Sequence, residues 1–288
     1  MLANSLQLHH WTRPGVKKTD GPGWNMYIEN NAVLLEGKDG QHHKSRSTHG
    51  VVRWDNGMNI KGIGCEVAEK GLVTLAFADP EFFADHERAM DMCRDMRVLE
   101  MNVLWSAQID TVPTDELLKA MRLAGCQHVD MQLDPDRAVD GLALARKYGF
   151  EVRVRNVDGT PYASDRISYS VAEREAVAGR LPGQHAAQFD LAVAYYKARR
   201  YSEVMLPLGK AMTLRFPKNE LCLNLLACLS AAKHYPDQAA GLLDLAGYGC
   251  PHPVVFRNRR LLKSWLESGG DLKGVRLELE PESGALTG

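Results

Sequence analysis

The chain has 288 residues, 45% of them hydrophobic and 25% charged, which is ordinary for a globular protein long enough to hold two domains. Its 35 basic and 36 acidic residues give a formal net charge of −1, so no overall field draws the protein to nucleic acid or to an anionic membrane. No apolar run approaches the roughly 20 residues of a membrane helix, and the N-terminus lacks the pattern of a secretory signal. These features predict a protein that binds neither membranes nor nucleic acid.

The cysteines are scattered along the chain, and no close Cys-x-x-Cys pair indicates a metal site or a disulfide framework. Cys222 and Cys228 lie among leucines, where a free thiol behaves as a small apolar side chain. Reduced cysteines are typical of the cytoplasm, and we expect a cytoplasmic protein.

Residues 1–50 are predicted to form an N-terminal arm and a β-rich segment, and they contain a histidine cluster. His42, His43 and His49 have a spacing at which imidazoles can bind zinc or copper. Adjacent residues of a strand point to opposite faces, however, and no cysteine or glutamate completes a close set. We interpret the cluster as solvated polar residues, and we predict no metal ion and no cofactor.

A strong turn signal follows, near the start of a domain placed at 51–165. Asp55, Asn56 and Gly57 separate "VVRW" from "MNIKG". Because Asn-Gly between apolar residues favours a two-residue hairpin turn, the sequence predicts a β-hairpin here.

Further along this domain, short apolar runs alternate with amphipathic helical stretches. Strands are predicted at 72–79, 102–110, 127–134 and 150–158. Helices are predicted from Glu81 to Glu100, from the N-cap candidate Thr114 to Gly125, and up to Gly149. Strand, helix, strand order means parallel pairing with right-handed crossovers, which predicts either a partial (β/α) barrel or an open doubly wound sheet.

Polar residues follow these strands at the ends where barrel enzymes place their reactive groups. The candidate ligand-binding residues are Asp79, Gln108, Asp110, Gln132 and Arg155. Converging carboxylates and an arginine can hold a polar ligand, or a divalent cation through oxygen atoms. The alternative is that each aspartate only caps the next helix, which the Asp-Pro pairs at 79–80 and 134–135 favour. We predict no catalytic residue.

Three segments of this domain resemble a known enzyme barrel. They are "FADPEFFADHERAMDMC" (77–93), "NVLWSAQIDTVPTDELLKAMRLAGCQHVDMQLD" (102–134) and the basic strand "FEVRVRN" (150–156). In spacing and order they are similar to the barrel of radical S-adenosylmethionine enzymes, especially those with an added cobalamin-binding domain. The resemblance implies a (β/α) barrel whose mouth takes S-adenosylmethionine or a nucleotide.

The cluster ligands of that family are missing. Its members hold a [4Fe–4S] cluster through three cysteines spaced Cys-x-x-x-Cys-x-x-Cys. No such triplet occurs here and no cysteine precedes Cys65; where that loop should lie, the chain reads "EGKDGQHHKSRSTHG" (36–50). The resemblance therefore implies a degenerate barrel without ordinary radical chemistry.

The C-terminal part repeats with a period of 34 residues, which aligns Leu191 with Leu225 and Pro217 with Pro251. The stretch "FDLAVAYYKARRYSEVMLPLGKAM" (189–212) resembles a tetratricopeptide repeat. We place a linker at 166–184, tetratricopeptide-like repeats at 185–268 and a polar tail at 269–288. The predicted fold is an α/β partial (β/α) barrel with an N-terminal β-rich segment, followed by an all-α tetratricopeptide-like domain.

Tetratricopeptide repeats bind proteins or peptides in the groove lined by their first helices, so the resemblance implies such a groove. Its residues here are Phe189, Val193, Tyr196, Lys197, Leu223 and Ala227. The alternative is that two repeats and a cap merely finish the core of the preceding domain, since about three repeats are needed for independent stability.

The leading hypothesis is a non-catalytic adaptor or accessory subunit that holds a protein partner, for instance an intact enzyme subunit. The alternative is a protein that binds S-adenosylmethionine or a nucleotide at the strand ends, with or without turnover. Self-association of the chain stays open.

Overall fold

The structure, a computed structural model, forms two compact units, Met1–Tyr169 and Ser170–Gly288, which we call the sheet unit and the helical unit. It describes residues 26–30, 33–36, 42–45, 49–54, 60–77, 83–155, 168–248, 253–267 and 277. The predicted N-terminal arm, the turn at 55–57 and, apart from Leu277, the predicted tail lie outside these residues.

The sheet unit is built on a six-stranded sheet. The strands of the unit are β1 (Met26–Asn30), β2 (Val33–Glu36), β3 (His42–Ser45), β4 (His49–Trp54), β5 (Thr74–Phe77), β6 (Leu104–Ile109), β7 (Cys126–Gln132) and β8 (Glu151–Arg155). The sheet has the order β1-β4-β5-β6-β7-β8, while β2 and β3 form a separate antiparallel pair. β1 is antiparallel to β4, and the strands from β4 to β8 pair in parallel. The four predicted strands are confirmed as the parallel neighbours β5 to β8.

Among the described residues, a helix lies between each pair of consecutive parallel strands. These helices are α1 (Ile60–Lys70), α2 (His86–Val98), α3 (Asp115–Leu123) and α4 (Pro135–Tyr148). Each helix contacts the next one along the chain. Because β4 to β8 follow the same order in space as in sequence, the described sheet has no point at which strand order reverses. A doubly wound sheet requires that reversal, so the strands here are wound in one direction only.

The predicted hairpin around Asn56 is wrong. "VVRW" does form a strand, β4, but its neighbours are β1 and β5, and the chain from Ile60 onward is helical. Ile60 and Ile63 are both buried, three residues apart as on one face of a helix. The helical apolar period of α1 therefore outweighs the local turn signal.

Helix ends in the sheet unit follow the predicted signals. Thr114 caps α3, because its hydroxyl accepts a hydrogen bond from the N–H of Leu117 at 3.2 Å. Gly125 follows α3 with φ of 102°, and Gly149 ends α4 with φ of 75°. At Gly125 an added Cβ would lie 2.3 Å from the carbonyl oxygen of Val103, so no larger residue fits between α3 and β7.

The helical unit repeats with the predicted period. Its described helices are α5 (Val171–Arg180), α6 (His185–Lys197), α7 (Met205–Thr213), α8 (Asn219–Ala232), α9 (Pro236–Ala246) and α10 (Pro253–Glu267). The helices α6, α8 and α10 begin at 185, 219 and 253, in two steps of 34 residues. The helices α5, α7 and α9 end at 180, 213 and 246, in two steps of 33 residues. Two interleaved sets of helices form the array, and the all-α prediction for this part is confirmed.

The predicted linker at 166–184 contains a helix and needs correction. Ser170 and Glu173 form a capping box, in which the Ser170 hydroxyl accepts from the N–H of Glu173 and the Glu173 carboxylate accepts from the N–H of Ser170. Val177 is buried, and Arg174 forms an ion pair with Asp190 of α6 at 3.0 Å. The helix α5 is therefore part of the repeating array.

A buried polar contact connects equivalent residues of two repeats. Asn258 Nδ2 donates a hydrogen bond to Asn224 Oδ1 at 2.7 Å, and both side chains are fully buried. The residue 34 positions before Asn224 is Asp190, the partner of Arg174. A polar side chain thus occupies this position in α6, α8 and α10, and each one meets another polar group.

None of the helices among the described residues is long and apolar enough to cross a membrane. The described cysteines are free thiols, all of them buried except Cys65. Burial raises the pKa of Cys93, Cys222 and Cys228 to about 12, so these thiols stay protonated and pack as small apolar side chains.

Candidate functional site

Side chains alternate between the two faces of the parallel sheet. One face is apolar and buried, and it consists of Phe77, Ala107, Ile109, Val129, Met131, Val152 and Val154. It packs on the helices, since a Cβ added to Gly141 of α4 would lie 3.1 Å from the sulfur of Met131. The other face, which we call the polar face, carries Ser106, Gln108, His128, Asp130, Gln132, Glu151 and Arg153.

The strand register arranges the polar face in rows. One row contains Ser106, His128 and Glu151. The next row toward the carboxyl ends of the strands contains Gln108, Asp130 and Arg153. Because adjacent strands lie about 4.8 Å apart, the side chains of one row are direct neighbours. The first row therefore offers a hydroxyl, an imidazole and a carboxylate. The second row offers an amide, a carboxylate and a guanidinium.

His128 is central to this arrangement. It is half-buried, and its buried Nε2 atom has no hydrogen-bond partner in the described structure. Burial lowers the pKa of His128 because it disfavours the cation; Asp130 opposes this shift and Arg153 adds to it. The imidazole is therefore neutral near pH 7, with one N–H donor and one lone-pair acceptor.

A polar face of this kind is unusual for parallel strands, which are normally buried on both sides and read as continuous apolar runs. In β8 the order Glu151, Val152, Arg153, Val154 gives a helix-facing apolar side and a charged side. Packing against the helices accounts for the two valines only. It does not account for the charged residues between them, and ligands commonly bind at the carboxyl ends of parallel strands.

Two of the residues predicted from the sequence belong to the polar face. Gln108 is the register neighbour of Asp130, and Gln132 is the register neighbour of Arg155 at the ends of β7 and β8. The register thus places polar residues of neighbouring strands side by side at these positions, and their role in binding stays a prediction.

The remaining predicted positions are less central. Asp79 lies outside the described residues, and Asp110 is exposed just beyond β6. The alternative that the aspartates cap helices explains neither Asp110 nor Asp134. The N-cap of α3 is Thr114, not Asp110. Asp134 is at the N-cap of α4, but its side chain makes no capping hydrogen bond.

Several residues of the polar face were missed by the sequence prediction. They are Ser106, His128, Asp130, Glu151 and Arg153. The signal that could have found them is the alternation in "HVDMQ" and "EVRVR", in which every second residue is polar. Such alternation indicates a strand with one polar face, whereas we had considered only the strand ends.

Three of the predicted groove residues in the helical unit are buried, with exposures of 3% for Phe189, 9% for Val193 and 0% for Ala227. The ring of Phe189 stacks on Phe216 at a centroid distance of 4.5 Å. These side chains complete the packing between helices and have no surface to offer a partner.

The other three groove residues keep some surface. Lys197 is exposed and Leu223 is half-buried. Tyr196 is also half-buried; its hydroxyl donates to the carbonyl oxygen of Cys228 at 3.2 Å, and its ring lies 5.4 Å from that of Tyr201. A partner that used this groove would therefore meet Lys197 and the edges of Tyr196 and Leu223.

The histidine cluster is divided by the fold. His42 and His43 lie in β3 of the two-stranded pair, while His49 begins β4 of the main sheet. Across the part of the chain that the structure describes, no group of three or more His, Cys, Asp or Glu side chains is arranged to hold a metal ion.

No protein-family model matches the chain, and no curated protein matches it. The resemblances to radical S-adenosylmethionine enzymes and to tetratricopeptide repeats stay predictions.

Proposed function

We propose that the sheet unit binds a small polar ligand on its polar face. The observation that carries the proposal is the buried Nε2 atom of His128, which lacks a hydrogen-bond partner among the described residues. Leaving a buried polar atom unpaired costs about 1–3 kcal/mol. A ligand that hydrogen-bonds to this atom would recover that cost, which explains why a fold tolerates the arrangement.

The neighbouring residues define the chemistry of the ligand. Asp130 accepts hydrogen bonds, Arg153 donates them, and Gln108 does both. A molecule with donors and acceptors along one edge matches this set, and the family resemblance makes S-adenosylmethionine or a nucleotide the first candidates.

The residues present do not fit a [4Fe–4S] cluster. The chain has no Cys-x-x-x-Cys-x-x-Cys set. Cys93 and Cys126 are buried in the sheet unit, and Cys222 and Cys228 are buried in the helical unit. We therefore propose binding without radical generation.

Thermal unfolding of the full-length protein with S-adenosylmethionine, ATP, GTP or magnesium ions tests this proposal. A ligand present at 100 times its dissociation constant adds about 2.7 kcal/mol to the free energy of unfolding and raises the melting temperature. Asp130→Asn and His128→Gln should each abolish the shift, because they alter the polar face with little change in volume.

Asp140→Asn is the matched control, since Asp140 is an exposed residue of α4 away from the polar face. It should leave the ligand-induced shift unchanged. A shift that persists in Asp130→Asn and His128→Gln, or no shift with any of these compounds, would contradict the proposal.

A second candidate function is partner binding by the helical unit, as in an adaptor. The regular spacing of α6, α8 and α10 supports it, because stacked helices of constant period present one continuous surface. Charge reversal at exposed Lys197 tests this candidate. Lys197→Glu should reduce recovery of a partner that co-purifies with the wild-type protein, whereas equal recovery from both would contradict the use of the groove.

A further inference from the structure

The end of the helical array differs from its interior in a systematic way. Residues 34 positions apart occupy equivalent places in α6, α8 and α10, so the three helices can be compared residue by residue. The triplet Leu191, Ala192 and Tyr195 in α6 corresponds to Leu225, Leu226 and Leu229 in α8, and to Arg259, Arg260 and Lys263 in α10. Two helices thus carry apolar or aromatic residues where the third carries cations.

The exposure of these positions differs between the helices in the same way as their residue types. Leu225 is 1% exposed and Leu229 is 4% exposed, while Arg259, Arg260 and Lys263 are all exposed. The helix α6 is followed by a packed helix, α7, and α8 is followed by α9. Among the described residues α10 has no such successor. At the positions equivalent to Leu225 and Leu229, α10 therefore presents exposed cations.

A purely polar cap does not account for Phe256. Its equivalents in α6 and α8 are the buried residues Gln188 and Cys222, yet Phe256 keeps 49% of its surface exposed. Phe256, Arg260 and Lys263 lie at i, i+4 and i+7, on one stripe of α10. The exposed aromatic ring and the neighbouring arginine belong to residue types that are enriched at protein-binding surfaces.

The charges of the helical array favour an acidic partner. Between 171 and 267 the sequence has 13 Lys and Arg residues against 8 Asp and Glu residues, and α10 itself has four cations and one anion. Such a surplus increases the rate at which an acidic chain is captured. Two carboxylates remain within this surface, since Asp244 pairs with Arg259 at 2.7 Å and Glu267 lies 3.9 Å from Lys263. These carboxylates repel the continuous phosphate backbone of a nucleic acid, whereas a peptide can donate hydrogen bonds to them from its N–H groups.

We propose that Phe256, Arg260 and Lys263 form a docking surface for an acidic polypeptide segment that carries an apolar anchor residue. The anchor packs on the ring of Phe256, and carboxylates of the segment pair with Arg260 and Lys263. This inference rests on the partner-binding function of the helical unit, but it names a different surface from the groove of Tyr196, Lys197 and Leu223.

Fluorescence anisotropy of the full-length protein with a labelled 12-residue peptide of alternating Glu and Leu tests the proposal. Arg260→Glu should weaken binding at least tenfold, and Phe256→Ala should weaken it severalfold. Lys210→Glu is the matched control, because it makes the same charge change at an exposed cation of α7 that belongs to neither surface, and it should alter affinity less than twofold.

The outcomes separate this surface from the groove and from other ligands. Loss of binding in Lys197→Glu but not in Arg260→Glu would support the groove and overturn the end surface. Tighter binding of a 12-nucleotide single-stranded DNA than of the peptide would overturn the choice of a polypeptide. No measurable peptide binding at low ionic strength would overturn the proposal altogether. Both affected residues are exposed, so circular dichroism should show unchanged folding in Arg260→Glu and Phe256→Ala.

Discussion

Polar side chains enter the interior of both units, but they meet different surroundings there. In the helical unit Asn258 donates to Asn224 at 2.7 Å and Arg174 pairs with Asp190 at 3.0 Å. In the sheet unit the buried Nε2 atom of His128 has no partner among the described residues. In the helical unit these two pairs connect neighbouring helices. At His128, the proposed function assigns the missing contact to a bound ligand.

The backbone shows a related difference at helix ends. In the sheet unit the left-handed positions after α3 and α4 are Gly125 and Gly149, and Gly125 has no room for a side chain. In the helical unit Arg199, Arg215 and His234 adopt φ of 59°, 59° and 63° after α6, α7 and α8. Close backbone approach thus excludes a side chain at Gly125, whereas the left-handed turns after α6, α7 and α8 carry long side chains, as does Glu100 after α2 with φ of 49°.

The largest expected effect tests the tight packing of the sheet unit. Gly125→Ala should cost more than about 3 kcal/mol, because the new Cβ would require both a left-handed backbone and a shift of the Val103 carbonyl. Gly71→Ala is the control, since Gly71 has φ of 64° with no atom within 4 Å of an added Cβ, and it should cost about 1 kcal/mol. Equal losses in urea denaturation would show that close approach does not distinguish the two sites.

The next effect tests whether the buried polar pair stabilises the array. Asn224→Ala should cost about 2–3 kcal/mol, because it opens a cavity and removes the acceptor of Asn258 Nδ2. The double variant Asn224→Leu with Asn258→Leu should recover much of that loss, since both polar groups then disappear together. A double variant as unstable as the sum of the single ones would contradict a direct coupling between them.

A smaller effect concerns a poorly placed carboxylate in the helical unit. Burial raises the pKa of Glu220, so the native state disfavours its ionised form. Its stabilising contribution is present at low pH and is lost as the pH rises from about 4.3, the usual value for Glu, through the raised native pKa. Glu220→Gln should therefore be more stable than wild type at pH 7, on the order of 1 kcal/mol.

That gain should vanish below about pH 4, where the wild-type carboxyl is protonated in both the folded and the unfolded states. Melting curves of both proteins between pH 3.5 and pH 8 measure the difference. A constant difference over this range would exclude titration of Glu220 as its cause.

The smallest expected change in stability concerns His128 and tests the difference between the two units directly. His128→Leu removes a buried nitrogen that has no hydrogen-bond partner in the described structure, so it should leave stability within about 0.5 kcal/mol of wild type or raise it. Urea denaturation in the absence of ligands measures this. A loss as large as that of Asn224→Ala would show that His128 has a structural role like the polar groups of the helical unit.

The features predicted correctly from the sequence have local causes. The Thr114 cap and the stops at Gly125 and Gly149 depend on a few neighbouring residues. The 34-residue period is also visible without a structure, since each repeat presents the same packing positions. The parallel pairing of β5 to β8 follows from alternation of strands and helices, which leaves few arrangements open.

The features that were missed depend on residues distant in the sequence. Ser106, His128 and Glu151 come from three strands, and their row depends on register and on an irregularity between Trp105 and Ser106. Phe189 is buried in part because its ring stacks on that of Phe216, which follows α7. The apolar pattern of α6 alone cannot reveal a contact with a residue outside that helix. The helix at 171–180 precedes the first helix of the 34-residue repeat, so the period from residue 185 onward does not reveal it.

The sequential order of β4 to β8 has a consequence for biosynthesis. Each strand that leaves the ribosome finds its hydrogen-bonding neighbour already made, because the preceding strand in the chain is also the adjacent one in space. No strand has to wait for a distant segment before it can pair, so the sheet can grow by addition at a single edge. Glu151 and Arg153 lie in β8, the last strand of the described sheet, and charged residues on an edge strand discourage pairing with other nascent chains.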